Sequence, residues 1–102
     1  MQTRDYFERL TQQIAGAIAR MLGLVKQVDL VQAEQELDAA YATLGLRRID
    51  LSRLDESTVR MLVGEKATLV AKLFDAEAAI EDARGHHDAA EVLRKRAIRL
   101  KA

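Results

Sequence analysis

A chain of 102 residues is long enough for one packed core, and its 49% apolar content lies well above that of disordered chains. The absence of cysteine excludes disulfides, thiolate metal sites and a cysteine nucleophile, and the absence of proline favours nearly uninterrupted helix. Net charge is zero but unevenly spread: residues 1–28 carry four basic and two acidic groups, residues 29–82 six and twelve, residues 83–102 six and two. An acidic centre between basic ends favours internal matching or head-to-tail association over a general attraction to nucleic acid.

The first apolar-periodic segment predicts a helix over residues 4–22, with Thr3 as N-cap and Asp5 at the positive end of the helix dipole. Phe7, Leu10, Ile14, Ala17 and Met21 recur at three- and four-residue steps, and Ile18 and Leu22 widen the stripe. Ala15-Gly16-Ala17 offers a flat stretch for another helix. Gly23 predicts a turn through Lys26 and Gln27. Asp29 followed by Gln32 reads as a capping box that opens a second helix over residues 30–44, with the stripe Leu30, Ala33, Leu37, Ala40, Leu44 and Tyr41 beside it. Glu34, Glu36 and Asp38 face away from that stripe, and Gly45 ends the helix.

Residues 46–54 read as a connector with one helical turn, from which Leu46, Ile49 and Leu51 or Leu54 reach the core. Asp55 with Thr58 restarts a short helix that ends near Gly64. A longer helix follows over residues 65–84. Its main stripe is Leu69, Leu73, Ala76, Ile80, Ala83, and a second is Ala67, Val70, Phe74, Ala78. A helix apolar on two faces is central. Gly85 ends it, and a last helix over residues 88–100 carries Ala90, Leu93, Ala97 and Leu100 inward. The expectation is therefore an all-α single domain over residues 1–102. It has about five helices, arranged as two antiparallel hairpins joined by a short helix.

The candidate sites are few. His86 and His87 are adjacent at a predicted turn, where neighbouring side chains diverge, so a solvated turn is favoured over a metal site with Asp82 or Asp88. Glu34/Asp38 and Glu77/Glu81 are paired carboxylates at helical spacing, read as solvated helix faces rather than acid–base machinery. Ser52 and Ser57 have no neighbouring base, and no glycine-rich phosphate loop is present. Arg94, Lys95, Arg96, Arg99 and Lys101 suit the negative end of their helix. Arg94, Lys95, Arg96 and Arg99 also form the alternative anion-binding cluster, which the acidic centre and the scarcity of aromatics disfavour for nucleic acid.

Tyr6, Phe7, Leu10, Ile14, Ile18, Met21 and Leu22 present more apolar area than one small neighbour covers, which points to a partner interface. The first helix is too sparse in Lys and Arg for the usual membrane-surface pattern. No apolar run approaches the ~20 residues needed to span a bilayer, and the charged start (Arg4, Asp5, Glu8, Arg9) lacks the core of a signal peptide. These features together predict a non-enzymatic, cytoplasmic interaction module without cofactor, self-associating as a homodimer or taking a protein or peptide partner.

The segment Gly85-His86-His87-Asp88-Ala89-Ala90, with Ala97, Ile98 and Leu100, resembles the second half of a tetratricopeptide repeat. Ala90 and Ala97 stand at the two small positions of that repeat's second helix, and Phe74 and Ala78 at the bulky and small positions of its first. Glu77, Glu81 and Arg94 depart from the pattern, and the closing proline is missing. More broadly, Arg4-Asp5-Tyr6-Phe7, the endings Leu22-Gly23-Leu24 and Leu44-Gly45-Leu46, and the repeat-like hairpin are similar to a bacterial family of small helical proteins of unknown function. That resemblance implies a helical fold and a stacking hairpin. It implies no activity.

Overall fold

A computed structural model describes residues 2–102, with side chains from residue 4 onward. Among these residues the structure is all-α, with no strand. The helices are α1 (Gln2–Lys26), α2 (Leu30–Thr43), the single turn α3 (Arg48–Ser52), α4 (Glu56–Val63), α5 (Ala67–Ala83) and α6 (His87–Lys101). A 3-10 turn, Gly64–Lys66, couples α4 to α5. At 1.5 Å per residue α1 is ~37 Å long, nearly the whole of the molecule's 42 Å long axis.

Helix starts follow side-chain chemistry. The Asp29 carboxylate accepts the Gln32 backbone N–H at 3.2 Å, and Asp55 accepts that of Thr58 at 2.8 Å. Each satisfies a donor that a helix N-terminus otherwise leaves unpaired. α5 is the central element, packed against α1, α2, α4 and α6. It buries Leu69, Val70, Ala71, Leu73, Phe74, Ala76, Ala78 and Ile80, so both of its apolar stripes are used. Leu10, Ile14, Ala17 and Met21 from α1 and Ala33, Leu37, Ala40 and Tyr41 from α2 join the same core. In the connector, Leu51 is buried, Leu46 and Leu54 are half-buried, and Ile49 points outward.

The first turn corrects the sequence reading. α1 begins at Gln2, so Thr3 lies inside the helix instead of capping it, and it does not stop at Gly23 but runs on to Lys26. Leu24 and Val25 are half-buried against the core, and covering them favours the extra turn. The chain leaves α1 through Val28, whose φ of 58° lies in the left-handed region. Val28 N–H bonds to Val25 O at 3.0 Å and Asp29 N–H to Leu24 O at 2.9 Å. The α5–α6 turn uses the same pair of bonds, Gly85 N–H to Asp82 O and His86 N–H to Glu81 O, with Gly85 at φ 86°. Both are Schellman caps, which glycine normally completes because a β-carbon is strained there. In the first turn a β-branched residue carries that strain.

Candidate functional site

Two arginines organise the polar side chains. Arg48, on the one-turn helix α3, reaches Glu34 at 3.1 Å and Asp38 at 3.2 Å on α2, with Glu77 of α5 at 3.9 Å. Arg84, from the α5–α6 turn, adds a second contact to Glu34 at 2.9 Å. Glu77 accepts the Tyr41 hydroxyl at 3.3 Å. Its side chain is only 14% exposed, so the Glu77/Glu81 pair is not the fully solvated face expected from its spacing. Burial pushes the Glu77 carboxyl up despite the neighbouring Arg48 guanidinium. Burial, reinforced by the Glu77 charge, raises the Tyr41 phenol well above its ordinary value. The phenol stays a proton donor and the carboxylate its acceptor, which ties α2 to α5.

Arg96 is the second organiser. It points inward from α6 with its side chain 11% exposed. It donates to Glu56 at 2.6 Å, to Leu51 O at 3.2 Å and to Leu54 O. Its guanidinium also lies 4.9 Å from the centre of the Phe74 ring. Glu56 takes Arg99 as well, at 3.0 Å. Its burial alone would raise the Glu56 carboxyl, but the bonds from Arg96 and Arg99 outweigh that and hold it below the usual carboxylate range. Arg60 closes the same end of the molecule by donating to the Arg99, Leu100 and Ala102 carbonyls.

The proposed anion cluster is thus matched from within. Arg96 and Arg99 engage Glu56, Arg94 engages Asp82, Lys95 lies 3.7 Å from Glu91, and Lys101 lies 3.4 Å from Asp75. The sequence shows five cations on one helix, but not that Glu56 arrives from forty residues away.

His86 and His87 are exposed, and each has its own carboxylate: Nδ1 of His86 lies 2.7 Å from Glu81, and Nδ1 of His87 lies 2.8 Å from Asp82. Hydrogen bonds from Arg94 and then His87 hold the Asp82 carboxyl below its usual range. Among the described residues no three His, Asp or Glu side chains converge as metal ligands.

The predicted partner interface divides in two. Leu10, Ile14 and Met21 are buried in the chain's own core, because α1 packs on both α2 and α5 rather than on α2 alone. Phe7 and Ile18 are half-buried against that core. Tyr6, 53% exposed, and Leu22, 40% exposed, remain at the surface. Leu22 and Ile18 border a shallow groove of about 360 Å³ between α1 and α5, completed by Ala15, Ala76, Lys72 and Asp75. A second groove between α1 and α2 lies over Gly16, Ala17, Ala39 and Ala40, but Gln12, Gln13, Arg20 and Glu36 make its rim polar. Arg20 and Glu36 pair across it at 3.1 Å.

No family model, curated protein or solved structure matches the chain. No described helix is long and apolar enough to cross a membrane.

Proposed function

We propose that the chain is a non-catalytic protein-interaction module that self-associates through the outer face of α1. The observation that carries this reading is the apolar α1–α5 groove, where Leu22 stands 40% exposed beside Ile18, Ala15 and Ala76. Elsewhere the strongly placed ionisable groups are turned onto one another. Glu34, Glu56, Glu77, Arg48 and Arg96 all act as internal fasteners, pairing between helices of the chain itself. The most accessible binding capacity is therefore apolar contact, which needs a partner face of similar shape. On this reading the α5–α6 hairpin works like a tetratricopeptide hairpin, as a stacking unit whose outer side is covered by assembly.

Sedimentation velocity over tens to hundreds of micromolar tests the proposal. The wild-type chain sediments as a monomer–dimer equilibrium, and Leu22→Glu moves it toward monomer without loss of helix signal. A wild-type monomer at every concentration would remove self-association.

A further inference from the structure

The α1–α5 face carries both halves of its own complement, in shape and in charge. Leu22 projects from it, while Ala15 and Ala76 form a low floor between the two helices. Lys72 and Asp75, one turn apart on α5 and both exposed, flank the same groove with opposite charges. A two-fold axis places the same patch on both sides of an interface, so each feature must meet its opposite within that one patch. Here it does. An axis passing between residues 72 and 75 would set Lys72 of each copy against Asp75 of the other.

Resting on the self-association reading above, we infer that a second copy of this chain occupies the α1–α5 groove, in a two-fold dimer with reciprocal Lys72–Asp75 pairs across it. Asp75 also has Lys101 of its own chain at 3.4 Å. A carboxylate has acceptor capacity for two cations, so the cross-copy pair adds to that contact and does not need to break it. Zero net charge leaves no overall repulsion between copies. The groove has only six lining residues, a patch smaller than the ~800 Å² per partner of a standard interface. The dimer is therefore weak and reversible, and its interface charges carry weight in it.

Charge exchange tests the geometry. Lys72→Glu sets carboxylate against carboxylate at each cross-copy contact, and Asp75→Lys sets ammonium against ammonium. Each variant alone therefore dimerises about tenfold more weakly than wild type. Mixed in equal amounts, the two variants are complementary: the all-acidic patch of one copy meets the all-basic patch of the other. They form a heterodimer of at least wild-type affinity. Native mass spectrometry with one variant isotopically labelled reads the heterodimer directly, and circular dichroism confirms that both variants keep their helix. Variants that each dimerise like wild type would place the interface elsewhere and overturn this geometry while leaving self-association standing. A mixture no tighter than its components would overturn the reciprocal pairing. A wild-type chain that never dimerises would remove both readings together.

Discussion

On the α6 side of α5, contact is sealed by charge as well as by packing. Arg96 lies over Phe74 and reaches Glu56 and the connector carbonyls, and Lys101 reaches Asp75. On the α1 side no ion pair joins the two helices among the described residues, and the contact is apolar, with an open groove at its rim. The contrast teaches how one central helix is used twice. A flank that carries the largely covered Arg96–Glu56 pair is held to one arrangement, because leaving either of those two groups unpaired is costly. A flank held by small and aliphatic side chains has no such commitments, and its uncovered edge can be shared with another molecule.

The largest effect falls on the ionic flank. Arg96→Met keeps much of the side-chain volume but takes from Glu56 its closest partner and from Leu54 O its donor, while Leu51 O keeps the Leu54 N–H. We expect a loss of about 2–4 kcal/mol in urea unfolding. A loss below about 1 kcal/mol would mean that this network is ornamental and that the two flanks do not differ as described. The next effects test the α1 side, where strain sits in the turn. Val28 is 74% exposed, so Val28→Gly relieves its left-handed backbone without uncovering core. Nothing stands within 4 Å of a β-carbon at Gly23, and Gly23→Ala removes a helix-interior glycine. Each should raise stability by about 0.5–1 kcal/mol. Were the turn at Gly23 instead, the alanine there would destabilise.

Glu77 gives a smaller, pH-dependent effect. A carboxyl whose folded pKa is raised contributes stability below its unfolded value and loses that contribution as pH rises through the folded one. At neutral pH the wild type has lost it, whereas Glu77→Gln stays neutral and still accepts from Tyr41. The variant should therefore be the more stable at pH 7, by less than about 1 kcal/mol. The gap should close as pH falls below the ordinary glutamate range. A thermal-melt series across that range reads the sign. Leu22→Glu should likewise cost no more than about 1 kcal/mol, since Leu22 is 40% exposed. Its effect belongs to association instead.

Much of the architecture was legible from local chemistry. Asp29 and Asp55 announce their caps, Gly45 and Gly85 their turns, and the doubled stripe of residues 67–83 its central place. The first turn was not, because glycine is the usual signal for a left-handed residue and here Val28 takes that conformation while Gly23 stays helical. The apolar surplus on α1 was overcounted for a related reason. A stripe records how wide a buried face is but not how many helices cover it, and α1 meets two. The partners of the basic cluster on α6 were hidden in the same way, since Glu56 and Asp75 approach it only through tertiary structure.

Molar mass by light scattering, followed across a dilution series of the wild-type chain, bears most directly on an adhesive α1 edge beside an ionically closed interior. The mass should climb from 11.4 kDa toward twice that value as concentration rises, and Leu22→Glu should flatten the climb. A constant 11.4 kDa for the wild type up to hundreds of micromolar would contradict it.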